Sequence, residues 1–185
     1  MSLTIKCIDL FCGCGGMSLG FEASGFNIVA GIDNWKAAIR VYEKNFDHPI
    51  IEKDLMDVEG ATELIAGYAP DLIIGGPPCQ DFSTAGFQDE SRGRAILSIC
   101  YSQIVSLVRP KYFVMENVAT IRNTKSFQSA IANFRAAGYG LLKWFWMPHT
   151  AGFHRQEREC LSLVRLVPPM VSWTKNLSVT WHKNL

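Results

Sequence analysis

The stretch that most constrains this chain is Gly75-Gly76-Pro77-Pro78-Cys79-Gln80-Asp81-Phe82-Ser83. It follows the apolar run Leu72-Ile73-Ile74, which reads as a buried strand running into a loop. Consecutive prolines fix two φ angles and remove two backbone donors, so the next residue is presented on a stiff turn. That residue is Cys79. A thiol at the carboxyl end of a parallel strand lies where open α/β sheets hold their ligands. On this stretch alone, a small buried residue after a structural turn is an equal reading.

The chain upstream repeats the strand-to-turn logic. Ile5 to Leu10 reads as a strand, Phe11-Cys12-Gly13-Cys14-Gly15-Gly16 as a glycine-rich turn, and Ser18 to Ala23 as the start of a helix. Glycines in such a turn let a ligand approach the backbone closely, but Gly-x-Gly-Gly is not the dinucleotide spacing, so NAD is disfavoured. Ile28 to Ile32 is a second strand closed by Asp33, about 20 residues after the glycines, where such folds hold a ribose. A helix cap at Asp33 competes with that reading. Ile50-Ile51 is a short third strand with Asp54-Leu55 beyond it, and Asp54 reads either as an acceptor for an exocyclic amine or as another cap.

Helices are predicted over residues 35–45, 58–66, 94–108 and 126–137, with Tyr112 to Met115 as a fifth strand leading into Glu116-Asn117-Val118. Alternating strands and helices predict an α/β fold with a doubly wound, mostly parallel sheet. In such a sheet Glu116, on the strand after the cysteine strand, comes close to the thiol.

Composition excludes several classes. A chain of 185 residues suits one domain with a real core, and 48% apolar with 19% charged residues is ordinary for a globular protein. A net charge of +1 gives no global pull toward nucleic acid. The six cysteines, at 7, 12, 14, 79, 100 and 160, have no framework spacing and read as reduced. Cys7, Cys12 and Cys14 lack a second ligand pair, so no metal is expected. No leader or membrane-spanning run is legible, which predicts a cytoplasmic protein with no membrane partner.

Taken together these residues resemble the DNA cytosine-5 methyltransferase family. The resemblance runs in order through Asp9-Leu10-Phe11-x-Gly13-x-Gly15-Gly16, Asp33, Asp54, Gly76-Pro77-Pro78-Cys79-Gln80-x-Phe82-Ser83 and Glu116-Asn117-Val118, and covers residues 5 to about 140. It implies a Rossmann-like fold that transfers a methyl group from S-adenosylmethionine to carbon 5 of cytosine, releasing S-adenosylhomocysteine. Cys79 would attack C6 and Glu116 would hold N3 and the exocyclic amine. Phe11, Gly13, Cys14 and Gly16 would border the cofactor, Asp33 its ribose and Asp54 its adenine amine, with Asn34, Leu55, Pro78 and Leu97 lining the same pocket. Asn34 stands where the family often has an apolar or aromatic residue. Gln80, Ser83 and Asn117 would face the substrate, a cytosine flipped from double-stranded DNA. The resemblance also implies a bacterial or phage-derived, nucleoid-associated enzyme of the restriction-modification kind.

The pattern breaks after Tyr139. The family continues with a Gln-x-Arg-x-Arg segment, a target-recognition region and a closing helix, none of which is legible here. Read one base earlier, the codons for Phe145 to Cys160 give Leu-Asp-Ala and, depending on their third bases, can then give Gly-Val-Pro-Gln-x-Arg-Lys-Arg, as the family carries at this point. The expectation is a partial, incomplete catalytic domain over residues 1–143 and an atypical tail over 144–185 that is out of frame and ends at a premature stop. An uncovered sheet face would then favour self-association. Three alternatives stay open: a split enzyme completed by a second subunit, a cytosine-5 methyltransferase acting on transfer RNA, and a non-enzymatic relic.

Overall fold

The apolar run after Ile5 becomes β1 (Lys6–Leu10), and four further parallel strands follow: β2 (Asn27–Asp33), β3 (Ile50–Glu52), β4 (Leu72–Gly75) and β5 (Tyr112–Val118). The computed structural model describes residues 4–78, 96–142, 144–146 and 158–164. Five helices lie between and after the strands: α1 (Gly16–Ala23), α2 (Lys36–Asn45), α3 (Val58–Tyr68), α4 (Ile96–Val108) and α5 (Lys125–Ala136). Two more strands, β6 (Trp144–Trp146) and β7 (Arg158–Val164), complete a sheet of order β3-β2-β1-β4-β5-β7-β6, with β7 antiparallel to both neighbours.

Local chemistry sets the boundaries. The Asp57 side chain accepts from Gly60 N at the start of α3, and the Thr124 hydroxyl accepts from Phe127 N at the start of α5. Arg109, at φ 57, followed by Pro110, stops α4. β4 is buried along its whole length, as expected of a parallel strand covered on both faces.

The two faces are unequal. The larger core lies under α3, α4 and α5 and joins Ile8, Leu10, Ile32, Ile73, Phe113 and Met115 to Ile65, Tyr101, Ile104 and Phe134. Phe113 stacks on Phe134 with ring centroids 4.2 Å apart, and Tyr139 meets Phe113 edge-on at 4.9 Å. The opposite face is thinner: Cys7, Ile28, Leu72 and Ile74 pack with Met17 and Phe21 of α1. Tyr112 and Val118 on that face remain 40% and 36% exposed.

The expected elements match the structure to within a few residues, except at the C-terminal side. No strand was expected over 144–164, yet Trp144-Phe145-Trp146 and Arg158–Val164 both join the sheet. Pairing of Glu116 with Cys160 and Val118 with Arg158 also extends β5 past Met115. Aromatic and alternating apolar residues suit a pleated strand. Among the described residues no helix is long and apolar enough to cross a membrane.

Candidate active site

The order of strands reverses between β1 and β4, and ligands of open α/β sheets bind outside the carboxyl ends at that switch point. Leu10 is level with Gly75, so the glycine turn and the Gly-Gly-Pro-Pro turn leave the sheet side by side. A Cβ on Gly75 would lie 2.5 Å from Leu10 O and 2.8 Å from the Tyr101 ring, so glycine is what lets these strands approach. On the other side Gly75 is level with Met115, which puts Glu116 beside Gly76. Glu116 Oε2 is 3.3 Å from where a Gly76 Cβ would stand.

Asn117 fastens the second turn to β5. Its Nδ2 donates to Pro77 O at 2.9 Å in a buried bond, and its Oδ1 accepts from Val118 N at 2.9 Å. Asn117 is 4% exposed with both ends engaged, so its side chain braces the turn. Below it, the Tyr101 hydroxyl is shared between Val114 O at 2.9 Å and Ile73 O at 3.2 Å, bridging the strands that carry the two turns. Cys79, Gln80 and Ser83 lie outside the described residues.

The glycine turn is wound through positive φ at Phe11 (56°), Gly13 (54°) and Gly15 (93°). A bulky residue such as Phe11 in that region is strained and needs surrounding structure to hold it. Asp33 supplies part of that hold. Its Oδ2 accepts from Gly13 N at 2.8 Å and its Oδ1 from Trp35 N at 2.8 Å. Cys12 N donates to Ile32 O at 3.2 Å. A Cβ added at Gly13 or Gly16 would meet nothing within 4 Å, so the backbone of the turn is open on that side. Gly15 faces inward instead, and a side chain there would run into the Phe46 ring.

The remaining expected residues divide. Cys14, Asn34 and Asp54 are exposed, while Phe11, Pro78 and Leu97 are partly buried. Asp54 Oδ1 accepts from Met56 N at 2.9 Å, and the cap of α3 belongs to Asp57. Leu55 is 2% exposed and packs its side chain into the main core.

Sequence reasoning missed a buried polar group behind the turn. Asp9 is fully buried and accepts from Ser18 Oγ at 2.7 Å and Ser18 N at 3.1 Å. Burial, with the charge of Asp33 adding to it, pushes the Asp9 carboxyl up to about 7 against the lowering effect of the Ser18 bonds. An acid inside the otherwise apolar run Ile8-Asp9-Leu10 was the available signal. Burial also raises the Cys7, Cys12 and Cys100 thiols, which makes them poor nucleophiles at neutral pH.

The model of the C-5 cytosine-specific DNA methylase family matches residues 5–146. The chain belongs to that family. It is similar to the Type II methyltransferase M.HindV of Haemophilus influenzae, at 54% identity over 137 residues, covering 74% of this chain and 45% of the relative. It is also similar to M.HgiGI of Herpetosiphon aurantiacus, at 56% identity over 126 residues, covering 68% of this chain and all of that relative. A solved E. coli prophage protein, described as a putative DNA modification methyltransferase, superposes with TM-score 0.69 at 27% identity, covering 88% of this chain and 47% of that one. The chain thus spans a little under half the length of M.HindV.

Proposed function

We propose that the chain carries the cofactor-binding and nucleophile half of a DNA cytosine-5 methyltransferase. The observation that carries the reading is the Glu116 carboxylate beside Gly76, on the strand that grips the turn leading into Cys79. The residues fit S-adenosylmethionine: an open glycine backbone at Gly13 and Gly16, with the Asp33 carboxylate at the end of the next strand. Bound there, S-adenosylmethionine supplies the methyl group. Gly13 and Gly16 would admit it, Asp33 would hold its ribose and Asp54 its adenine amine.

Carbon 5 of cytosine is a poor nucleophile. Cys79 overcomes this by forming a bond from its thiolate to C6, which makes C5 enamine-like; loss of the C5 proton after methylation then expels the thiolate. Glu116 hydrogen-bonds N3 and the exocyclic amine and stabilises the charge that gathers there during attack. The base leaves the duplex stack at a cost of a few kcal/mol.

Base-edge readout belongs to sequence beyond this chain's match to its relatives. Residues 144–185 are, on this reading, out of frame, and the end of the family match at residue 146 supports it. Ladder pairing of β6 and β7 is compatible with either frame, since backbone hydrogen bonds carry no side-chain identity. A second subunit is the alternative source of base-edge readout, and the exposed Tyr112 and Val118 suit such a partner or a second copy. The test is methyl transfer from tritiated S-adenosylmethionine to mixed-sequence DNA. The chain alone should give little or no turnover. A frame-repaired, full-length version should turn over and lose activity in Cys79→Ser. Robust turnover by the chain alone, or activity surviving Cys79→Ser, refutes the reading.

A further inference from the structure

A buried chain of polar groups runs from beneath the glycine turn to the surface. Asp9 Oδ2 is 2.7 Å from Ser18 Oγ, Ser18 Oγ is 2.7 Å from the Tyr42 hydroxyl, and that hydroxyl is 3.4 Å from His48 Nδ1. His48 Nε2 stands 3.0 Å from Glu22 Oε1. Asp9, Ser18 and Tyr42 are sealed from solvent, whereas the His48 and Glu22 side chains are 11% and 37% exposed. The second Asp9 oxygen, Oδ1, has no hydrogen-bond partner among the described residues.

Two proton arrangements satisfy this chain, because serine and tyrosine hydroxyls both donate and accept. With Asp9 ionised, Ser18 donates to Asp9, Tyr42 to Ser18, and a His48 Nδ1–H to Tyr42. With Asp9 protonated every link reverses, and Tyr42 donates to a bare Nδ1. The Ser18 N–H serves Asp9 in both. The tautomer of the partly buried imidazole is thereby coupled to the charge under the turn.

The same elements clamp the turn sterically. The Tyr42 ring lies over Gly31, where an added Cβ would be 2.7 Å from it, and Phe46 closes over Gly15. The groups facing Asp9 and this chain are Cys7 on its own strand, Cys12 of the turn, Asp33 of β2, Ser18 and Glu22 of α1, Tyr42 of α2, and Tyr101 of α4. None is a lysine or arginine. A cationic ligand would bring the positive charge that these groups lack.

We propose that Asp9 is a positioning residue for the glycine turn, its ionisation linked through Ser18 and Tyr42 to the tautomer of His48, so that the grip on a cationic methyl donor strengthens with pH as Asp9 gains its charge. This rests on the methyl-donor reading of the turn. S-adenosylmethionine carries a sulfonium charge that S-adenosylhomocysteine lacks, so the two ligands report the charge separately from the shape.

The experiment is equilibrium dialysis of both ligands against the full chain between about pH 6 and pH 8, with the infrared carboxylic-acid band of the unliganded chain followed over the same range. S-adenosylmethionine affinity should rise on the order of tenfold, the effect of a unit charge several ångströms away in an intermediate dielectric. S-adenosylhomocysteine affinity should change by less than about twofold. Asp9→Asn should abolish the rise and the band. Tyr42→Phe, which keeps the ring and cuts the chain, should shift the midpoint of both even if Asp9→Asn fails to fold. Parallel rises for the two ligands, a rise that survives Asp9→Asn, or a midpoint unmoved by Tyr42→Phe overturns the inference alone. No saturable binding of either ligand at any pH overturns the methyl-donor reading as well.

Discussion

Two glycines at the switch point separate packing from binding. In Gly75→Ala the new methyl group lands 2.5 Å from Leu10 O and 2.8 Å from Tyr101 Cε2. Neither neighbour yields easily. Leu10 O belongs to the β1 backbone, and Tyr101 is fully buried with its hydroxyl tied to Ile73 O and Val114 O. Overpacking costs about 1–3 kcal/mol, and a backbone clash puts this case near about 3 kcal/mol. At roughly 3 °C per kcal/mol for a chain of this size, the melting temperature should fall by about 9 °C. In Gly16→Ala the methyl meets nothing within 4 Å. Alanine is the better helix former by up to about 1 kcal/mol, so melting should be unchanged or slightly higher. The same methyl stands on the open side of the turn, and S-adenosylmethionine affinity should drop by about tenfold or more, a loss of about 1.4 kcal/mol or more. Circular-dichroism melts and equilibrium dialysis read both variants. A Gly75→Ala melting point within about 2 °C of wild type, or unchanged binding in Gly16→Ala, refutes the geometry argued for these turns.

Asp9 makes stability depend on pH. Its carboxyl stands at about 7 in the fold against 3.8 as the ordinary value, so the folded state holds the extra proton between these limits. Stability should therefore fall as pH rises from about 4 to about 7, by up to about 4 kcal/mol, and urea titrations of Asp9→Asn should show this slope flattened. Tyr101→Phe removes the shared hydroxyl from two strand carbonyls and should cost about 1–3 kcal/mol by urea unfolding, with the fold retained by circular dichroism. Asn117→Ala frees Pro77 O and should cost a similar amount, on the order of 1–3 kcal/mol, and also speed proteolysis in the segment after Pro78.

The strand and helix pattern was legible because most elements carry their own punctuation. Leu72-Ile73-Ile74 ends at paired glycines, Arg109-Pro110 closes α4, and Gly138 follows α5 at φ 84°. The turn glycines and Asp33 were legible for the same reason, being polar or conformationally special residues at predicted strand ends. What stayed hidden depends on register and on which way a side chain turns. Asp54 and Asp57 are both short acids ahead of one helix, and only coordinates separate the one that caps from the one that braces. Leu55 follows an exposed acid yet turns into the core. The Asp9–Ser18–Tyr42–His48 chain joins β1, α1, α2 and the loop after α2 through side chains far apart in sequence, which no local pattern announces. β7 was missed because its partner residues lie on β5, far upstream, and β6 because it joins the sheet only through β7.

The most direct test of the account is covalent capture. A single-stranded oligonucleotide bearing 5-fluorocytosine needs neither base flipping nor duplex readout, and its fluorine cannot leave as a proton, so the thiol adduct persists. Incubated with the frame-repaired, full-length version and S-adenosylmethionine and analysed by mass spectrometry, it should yield an adduct carrying the methyl group, mapped to Cys79, absent from Cys79→Ser and strongly reduced in Glu116→Gln. An adduct that survives Cys79→Ser, maps to another cysteine, or fails to form with any methyl-donor concentration would contradict the claim that Cys79 and Glu116 share one catalytic pocket.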